Sequence, residues 1–375
     1  MIKTFILDSA LFIKKNTEWD ITFVCGYTDQ SELISNHGIR FVPIKIKRGF
    51  SLTGFFSIVR LKRFFKKEKF DIIQYAALNS ACYSSIAGRL AKIPIRIYSQ
   101  WGIDYPAFKG FKRFVFKTID RITCKHSTIV QPDSKSNLAL GIADKHYTEE
   151  KAYVISNGSS CGVNLRRFNC EKRSEWFDEI RNKHGIPNDA FVFGYVGRFL
   201  KDKGINELLE SAKELLENNT NVYFLLVGSL DLVEGINKQL LNSAKKEPKI
   251  IFAGFSLETE KYYAAIDCLV LPSYHEGFPT SLIESQAMGT PVITTKVNGC
   301  TDSIIDGKTG FLIAPKNKDE LKEKMLELVN NPSTVELMKE DCVTFVRDYY
   351  DQDELFQRIL DDRKKIIKEL IDARD

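Results

Sequence analysis

The sequence predicts an α/β protein made of two doubly wound domains, and three observations lead to this prediction. The chain has 375 residues, enough for two domains of ordinary size. Short apolar runs rich in Val, Ile and Phe alternate with amphipathic stretches of about 12–18 residues. This alternation, typical of parallel sheets with helices on both faces, occurs in two successive sets.

Six strands are predicted in each half of the chain. In the first half they cover residues 21–25, 40–43, 71–75, 95–99, 128–130 and 152–155. In the second half they cover residues 191–196, 222–227, 250–252, 268–271, 291–294 and 311–313. A stretch rich in Gly, Ser and Asn, residues 157–168, separates the halves. We therefore predict domains over 1–168 and 169–350, followed by one charged amphipathic helix over 351–375.

Composition excludes several classes of protein. No apolar run approaches the roughly 20 residues that span a bilayer, and residues 1–15 lack the uninterrupted apolar core of a signal peptide. The eight cysteines are scattered and none forms a C-x-x-C pair, so neither a zinc site nor a disulfide framework is indicated. We expect a protein of the reducing cytoplasm.

The charge is distributed unevenly along the chain. The net charge is +5, but residues 1–170 carry 27 Lys and Arg against 13 Asp and Glu. Basic and aromatic residues are mixed in FFSIVRLKRFFKKEKF, residues 55–70, and in FKRFVFKTIDRITCK, residues 111–125. Such a surface suits the anionic inner face of a membrane. A solvated basic surface with its phenylalanines turned inward is the alternative, and no nucleic-acid motif is present.

The stretch YVGRFLKDKGINELL, residues 195–209, combines a strand end with a helix start. Gly197 allows a ligand close to the backbone. Arg198 and Lys203 follow at the mouth of the strand, beside a helix that begins near Gly204. A diphosphate can be bound by the paired N–H donors of the Arg guanidinium, the ammonium charge of Lys and the positive end of a helix. Two solvated surface cations are the alternative interpretation.

The stretch SYHEGFPTSLIESQAMGTP, residues 273–291, places two carboxylates eight residues apart. Glu276 lies in a Gly/Pro turn, and Glu284 lies in the helix that follows, which we expect Thr280 or Ser281 to cap. The free N–H groups of residues 280–282 then form an anion site. A carboxylate on each side of such a site can hold the vicinal diols of a sugar and a ribose. The alternative is an acidic residue that only stabilises the early turns of a helix, which explains Glu284 passably and Glu276 poorly.

Three segments together resemble family 4 glycosyltransferases of the GT-B fold. They are the E-x7-E motif HEGFPTSLIE, the upstream GRFLKDKG and the linker pattern NG…GVNLRRF, and their order and separations also fit. The similarity covers nearly the whole chain. It implies two Rossmann-like domains facing a cleft, with the C-terminal helix crossing back to the first domain. It also implies a retaining transferase that uses a nucleotide-sugar, usually UDP-linked, and requires no metal.

The resemblance also implies a role for each motif residue. Glu276, Arg198 and Lys203 would be the catalytic set, with the two cations holding the diphosphate and stabilising the leaving UDP. Glu284 would hold the ribose. The remaining donor-binding positions are Gly197; the backbone of Gly277, Phe278 and Pro279 at the sugar; the amides of Thr280, Ser281 and Leu282 at the phosphate; and Gly254 and Phe255 at the base.

The sequence departs from the family pattern in two places. Family members usually begin with a strand and a Gly-rich loop, whereas residues 1–15 already look like the first helix. We expect that the chain as written begins late and lacks roughly a dozen N-terminal residues, a decayed copy being the alternative. Many members also carry a histidine after the strand at 95–99, where this chain has Trp101. We expect Trp101, with Asp104 in the same loop, on the acceptor side.

The sequence therefore predicts a cytoplasmic, peripherally membrane-bound retaining glycosyltransferase. It would transfer a hexose or N-acetylhexosamine from a UDP-sugar to a lipid-linked or oligosaccharide acceptor in capsule, O-antigen or exopolysaccharide assembly. Two alternatives stay open. One is a GT-B nucleotide-sugar epimerase, and the other is a truncated homologue that binds a sugar nucleotide without turnover.

Overall fold

The computed structural model describes residues 6–26, 31–46, 52–218, 221–231 and 234–372. The chain divides into two compact units. Unit 1 comprises Met1–Cys161 together with Asp353–Asp375, and unit 2 comprises Gly162–Gln352. The division falls before the predicted boundary at residue 168, because Val163 already belongs to unit 2. Its N–H donates to the Tyr350 carbonyl at 2.8 Å, and its carbonyl accepts from the Gln352 N–H at 3.0 Å.

Unit 1 contains five strands and seven helices among its described residues. The strands are β1 (Thr22–Cys25), β2 (Arg40–Pro43), β3 (Ile72–Tyr75), β4 (Ile95–Gln100) and β5 (Ile129–Pro132). The helices are α1 (Leu7–Lys15), α2 (Ser31–Asn36), α3 (Leu52–Glu68), α4 (Leu78–Leu90), α5 (Gly110–His126), α6 (Lys135–Ala143) and, at the end of the chain, α14 (Gln352–Asp372).

Unit 2 contains six strands and seven helices among its described residues. The strands are β6 (Phe191–Val196), β7 (Val222–Val227), β8 (Ile250–Gly254), β9 (Cys268–Leu271), β10 (Val292–Thr295) and β11 (Gly310–Ile313). The helices are α7 (Arg173–His184), α8 (Ile205–Asn218), α9 (Lys238–Ala244), α10 (Thr259–Ala265), α11 (Thr280–Ala287), α12 (Lys318–Asn330) and α13 (Ser333–Tyr350).

The strands of unit 2 form one parallel sheet in the order β11-β10-β9-β6-β7-β8. The chain thus proceeds outward from β6 through β7 to β8, then returns beside β6 with β9 and proceeds outward on the other side. The pairs Phe193↔Cys268 and Gly194↔Leu269 join β6 to β9. This is the doubly wound arrangement, and its switch point, where ligands bind in such sheets, lies between the carboxyl ends of β6 and β9.

The described strands of unit 1 fall into two parallel sheets. One pairs β1 with β2, in register from Thr22↔Arg40 to Cys25↔Pro43. The other has the order β3-β4-β5. Residues 152–155 were predicted as a further strand, and this prediction is wrong. Ala152 makes one isolated bridge to Val130, and the chain then leaves the sheet.

Both faces of the unit 2 sheet are buried, which explains its continuous apolar strands. Every residue of β9 and β10 is buried, and parallel sheets covered by helices read as near-continuous Val, Ile and Leu runs. Helix α8 illustrates the complementary 3.6-residue period. It buries Ile205, Leu208, Leu209, Ala212 and Leu215 against the sheet.

The final helix, α14, packs within unit 1. Ile366 joins Ile95 and Ile97 of β4 in one apolar cluster. The Tyr153 hydroxyl donates to Asp362 at 2.6 Å, and the buried Arg363 donates to Gln131 at 2.8 Å. Residues 373–375 of the predicted terminal helix, and residues 1–5 of the expected first helix, lie outside the described residues.

Candidate active site

The motif residues of unit 2 follow the two strands at its switch point. The segment that contains Gly197, Arg198 and Lys203 leaves the carboxyl end of β6, and the segment that contains Glu276 leaves the carboxyl end of β9. A backbone hydrogen bond joins the two segments, since the Tyr274 N–H donates to the Asp202 carbonyl at 2.8 Å. The structure therefore brings together the two motifs that the sequence analysis identified separately.

Gly204 allows the β6 segment to approach the end of β9. It has φ +72°, and a Cβ at this position would lie 2.1 Å from the Pro272 carbonyl oxygen. Only glycine combines this left-handed backbone with such a close approach. A 3-10 turn over Lys201–Lys203 precedes it and α8 follows, so the predicted helix start near residue 204 is confirmed.

The two predicted diphosphate ligands differ in their surroundings. Arg198 is exposed, and within the described chain its guanidinium makes neither an ion pair nor a hydrogen bond. Its backbone is held, because the buried Tyr195 hydroxyl donates to the Arg198 carbonyl at 2.5 Å. Lys203 is mostly buried and its ammonium contacts Glu276. A fixed backbone carrying a free guanidinium is suited to receive an anionic ligand.

Glu276 is the acceptor of a compact polar cluster. Its Oε1 lies 2.6 Å from the Lys203 Nζ and accepts from the Ser273 hydroxyl at 2.7 Å. The Glu276 side chain is only 9% exposed and that of Lys203 is 17% exposed. Both contacts use the same oxygen, so Oε2 makes no hydrogen bond to the described residues. A carboxylate anchored through one oxygen can present the other to a sugar hydroxyl.

The start of α11 differs from the prediction in two respects. The N-cap is Pro279, without a side-chain cap, rather than Thr280 or Ser281. In addition, the Leu282 N–H donates to the Pro279 carbonyl at 3.1 Å, so it is not a free donor. The physical reason is that the helix begins one residue earlier and closes its first turn with an i→i+3 bond. The N–H groups of Thr280 and Ser281 donate to no carbonyl of the described chain and remain candidates for a phosphate.

The turn before α11 contributes its backbone to the site, because its one large side chain, that of Phe278, lies in the core. Phe278 is 8% exposed, and its ring packs 5.2 Å from that of Tyr350. Gly299 supports the turn from behind, since a Cβ there would lie 1.8 Å from the Gly277 carbonyl oxygen. The Gly277–Pro279 segment is therefore fixed in position, as a backbone contact to a sugar requires.

Glu284 is held by a residue that the sequence analysis missed. The Tyr263 hydroxyl donates to Glu284 Oε2 at 2.9 Å, and Tyr263 is fully buried on α10. Burial raises the pKa of the Glu284 carboxyl, while the Tyr263 hydrogen bond and the nearby Arg167 charge act in the lowering direction. Oε1 makes no hydrogen bond to the described residues, so one oxygen of Glu284 can accept from a ribose hydroxyl.

The predicted base-binding position lies at the end of β8. Gly254 has φ +77° and open space where a Cβ would stand. Phe255, which follows it, is 71% exposed. An exposed ring held at a strand's carboxyl end offers a flat apolar face on which a nucleobase can stack.

Trp101 and Asp104 line a separate cavity within unit 1. It has a volume of about 240 Å³ and lies where β4 ends. The other lining residues are mostly aromatic or small. They are Ala77, Leu78, Tyr98, Gly102, Tyr105, Phe116 and Asp120.

A buried carboxylate, Asp120, forms the polar wall of this cavity. It accepts from the Tyr98 hydroxyl at 3.0 Å and from Gln100 at 3.0 Å. His146 Nδ1 lies 2.6 Å from Asp120 Oδ2, the oxygen that also accepts the 3.0 Å bond from Gln100. Aromatic faces beside a fixed carboxylate are groups that bind sugars. The sequence offers no signal for Asp120, which is the one acidic residue of a helix whose other charged residues are basic.

Comparison with known proteins identifies the chain's family. The family model "Glycosyl transferases group 1" matches residues 177–342, and the model "Glycosyl transferase 4-like" matches residues 3–134. A Staphylococcus aureus protein described as "Capsular polysaccharide biosynthesis glycosyltransferase CapM" is 30% identical over 322 residues, which cover 85% of this chain and 82% of that protein. The chain belongs to the group 1 glycosyltransferases.

Two further similarities concern this glycosyltransferase. An Escherichia coli protein described as "UDP-Gal:alpha-D-GlcNAc-diphosphoundecaprenol alpha-1,3-galactosyltransferase" is 25% identical over 336 residues, covering 87% of this chain and 84% of that protein. The crystal structure of Anabaena Alr3699/HepE in complex with UDP and glucose matches with a TM-score of 0.76 and 18% identity, covering 95% of each chain. At this identity the structural likeness shows the fold, which is GT-B.

Among the described residues, no helix is both long enough and apolar enough to cross a bilayer.

Proposed function

We propose that this glycosyltransferase transfers a hexose or N-acetylhexosamine from a UDP-sugar to a lipid-linked glycan, with retention of configuration at the anomeric carbon. The observation that carries the proposal is the Lys203–Glu276 contact at the switch point of unit 2, 2.6 Å long and largely buried. It sets a cation for a diphosphate beside a carboxylate for a sugar. A nucleoside diphosphate-sugar joins these two groups by one covalent bond.

The proposed chemical step assigns a distinct task to each residue. The acceptor oxygen bonds to C1 of the sugar on the face from which UDP departs, so the configuration is retained. As the C1–O bond to UDP breaks, negative charge develops on the β-phosphate, where Arg198 and Lys203 stabilise it. The acceptor proton passes to that departing phosphate. Glu276 holds the sugar hydroxyls, and no protein base is required.

The cationic set supports transfer without a metal ion. Arg198, Lys203 and the first N–H groups of α11 together supply a positive field at the leaving group, which is one of the roles that Mg²⁺ serves in other phosphate sites. We propose that transfer requires no metal ion. Activity retained after treatment with EDTA would support this, and activity restored only by added Mg²⁺ or Mn²⁺ would contradict it.

The cavity at the end of β4 is the proposed acceptor site. Trp101 offers a face for stacking on a sugar ring, and Asp104 and Asp120 offer acceptors for its hydroxyls. The E. coli relative acts, by its description, on GlcNAc-diphosphoundecaprenol. We propose an acceptor of the same class, a saccharide carried on a polyprenyl diphosphate.

Exposed phenylalanines in unit 1 support a peripheral membrane location. Phe55 and Phe56 of α3 are 66% and 70% exposed, and Phe111 and Phe114 of α5 are 81% and 66% exposed. Lysine and arginine residues alternate with them on both helices. Aromatic side chains that enter the interface beside cations that face anionic headgroups form a membrane-binding surface. We propose that this surface holds the enzyme on the inner leaflet, where its acceptor resides.

Calorimetric titration with UDP, followed by a panel of UDP-hexoses and UDP-N-acetylhexosamines, tests the donor. We expect UDP to bind and one sugar to be preferred. Incubation of the preferred donor with GlcNAc-diphosphoundecaprenol then tests transfer. An altered sugar nucleotide produced without acceptor would identify an epimerase, and UDP binding without turnover on any lipid-linked acceptor would favour a non-catalytic homologue.

A further inference from the structure

The loop that carries Phe255 is short and is held on both sides of this residue. It connects β8 to α10. On the strand side, the Gly228 N–H donates to the Gly254 carbonyl at 2.9 Å. On the helix side, the Leu257 carbonyl accepts a hydrogen bond from the side chain of Arg167 at 2.5 Å. The exposed ring of Phe255 therefore lies between two anchors.

Arg167 reaches this loop from the segment at the start of unit 2. Its backbone is fixed by a turn, in which the Arg167 N–H donates to the Asn164 carbonyl at 3.0 Å and lies 3.1 Å from the Asn164 side-chain oxygen. Its guanidinium carbon lies 4.9 Å from the ring centroid of Phe168, which is buried in the core of unit 2. Both the backbone and the guanidinium of Arg167 are thus held by neighbouring residues.

The guanidinium of Arg167 contacts the loop and the first turn of α10 at the same time. Glu260 Oε2 accepts from Nε at 2.9 Å and from Nη2 at 2.6 Å. Nη2 also donates to the Leu257 carbonyl, and it lies 3.4 Å from the Thr259 hydroxyl oxygen. The Glu260 side chain is only 13% exposed. One arginine therefore ties the loop and the helix that follows it to the start of unit 2.

An ordinary surface ion pair is the competing interpretation of these contacts. The Arg167 side chain is 44% exposed, and exposed ion pairs usually contribute little to stability. Two observations favour a positioning role. Arg167 uses several donors of its planar guanidinium, a geometry that fixes the groups it binds. In addition, one acceptor is a backbone carbonyl of the loop itself, so the bond acts directly on the path of the loop.

We propose that Arg167 is a positioning residue for the nucleobase of the donor. By holding the Leu257 carbonyl, it fixes the loop so that the Phe255 ring is in place to stack before the nucleotide arrives. A loop that is ordered beforehand does not have to be ordered on binding, and the affinity is higher by that amount. The role rests on the proposed function, since it takes the uracil of a UDP-sugar to bind at Phe255. Arg167 acts through Phe255 and is not required to contact the donor.

A positioning role of this kind has a specific kinetic signature. In a UDP-sugar the uracil is separated from the breaking C1–O bond by the ribose and two phosphates, so its contacts stabilise the ground state and the transition state equally. Loss of Arg167 should therefore raise the KM for the UDP-sugar and the Kd of UDP by the same factor and leave kcat unchanged. A loss of folded protein would instead lower the active fraction and the apparent kcat.

The experiment compares Arg167→Met, which removes every donor of the side chain, with a matched control. The control is Arg347→Met on α13, where an exposed arginine donates to Asp348 at 3.0 Å. We expect Arg167→Met to raise the Kd of UDP, measured by titration calorimetry, by about 3–10-fold, the cost of ordering one loop side chain on binding. Hydrogen exchange at residues 255–258 of the ligand-free protein should also become faster. The control should match the wild-type protein in both measurements.

A double variant tests whether Arg167 acts through Phe255. Phe255→Ala alone should weaken UDP binding by about 5–150-fold, the range for a lost stack between a base and an aromatic ring. Once the ring is absent its position no longer matters, so adding Arg167→Met to Phe255→Ala should change the Kd by less than about twofold. Urea unfolding curves establish that every variant is folded at the temperature of the binding measurement.

Failure of this role can be distinguished from failure of the proposed function. A wild-type protein that binds no UDP would refute the proposed function, and the role of Arg167 with it. Where the wild-type protein binds UDP, an unchanged Kd in Arg167→Met would overturn the positioning role alone. So would an equal loss of affinity with and without the Phe255 ring, a fall in kcat at unchanged KM, or an unchanged Kd in Phe255→Ala.

Discussion

The contact between Lys203 and Glu276 predicts that removing its two ends affects different halves of the donor. Glu276→Ala removes the proposed sugar ligand and leaves Lys203 free to meet the diphosphate. Lys203→Ala removes a proposed diphosphate ligand and leaves the sugar ligand in place. Because the two groups are 2.6 Å apart, a purely structural role would make the two variants behave alike.

The expected magnitudes follow from the contact itself. Lys203→Ala should weaken UDP binding by about 1.5–3 kcal/mol, the range for a lost charge-assisted hydrogen bond, or about 10–140-fold in Kd. Glu276→Ala should leave UDP affinity unchanged or raise it, because the ammonium no longer has to leave a carboxylate. Transfer by Glu276→Ala should fall by about 100–1,000-fold, as when a preorganised polar contact is removed.

Both variants should also lose stability, and this loss serves as a control. The Glu276 and Lys203 side chains are 9% and 17% exposed, so each single variant leaves the other charge poorly solvated. We expect a decrease of about 3 kcal/mol in the free energy of unfolding, the lower end of the range for a broken buried pair. The double variant should lose less than the sum of the two.

Titration calorimetry with UDP, a transfer assay and urea unfolding together provide the test. Both variants must be folded at the temperature of the binding assay, which the unfolding curves establish. Equal weakening of UDP binding by Glu276→Ala and Lys203→Ala would refute the assignment of the two groups to different halves of the donor. Wild-type transfer by Glu276→Ala would also refute it, since the carboxylate would then have only a structural role.

Four further outcomes are expected. Gly204→Ala should destabilise the protein by more than about 1 kcal/mol in excess of Gly185→Ala, because both have left-handed backbone but only Gly204 faces a carbonyl at 2.1 Å; equal urea midpoints would contradict this. The raised pKa of Glu284 disfavours the charged form in the folded state, so Glu284→Gln should increase the free energy of unfolding at pH 7. This increase should disappear below the unfolded-state pKa of about 4.5, and an increase that persists at pH 3 would contradict the assignment. The same variant should bind UDP more weakly. Trp101→Ala should raise the KM for the lipid-linked acceptor and leave UDP affinity unchanged, by steady-state kinetics. Phe111→Ser should reduce sedimentation with anionic vesicles, most clearly at high salt, and unchanged binding would argue against α5 as a membrane contact.

The sequence predicted the sheet of unit 2 closely, because both faces of that sheet are buried. Strands β6, β7 and β9 have the predicted bounds, and the others differ by one or two residues at an end. The prediction failed at residues 152–155, where an apolar run makes a single bridge and then turns away. A run of four apolar residues carries no information about whether a neighbouring strand continues beside it.

The site residues that could be predicted from the sequence are those that follow the ends of strands. Lys203 and Glu276 could be assigned to one edge because parallel strands end together, and the structure places them in contact. The N-cap at Pro279 was missed, since Thr280 and Ser281 are favoured caps. Tyr263 and Asp120 could not be found, because their contacts depend on how helices rotate against the sheet.

The position of α14 has a consequence for how the protein is made. Unit 1 is completed by a helix that leaves the ribosome only after all of unit 2, about 190 residues later. At about 5–20 residues per second this is a delay of about 10–40 s. Until then the surface formed by Ile95 and Ile97 lacks its partner Ile366. Each unit 1 therefore spends its first seconds with an open apolar face, and chaperones that bind such faces have that interval in which to act.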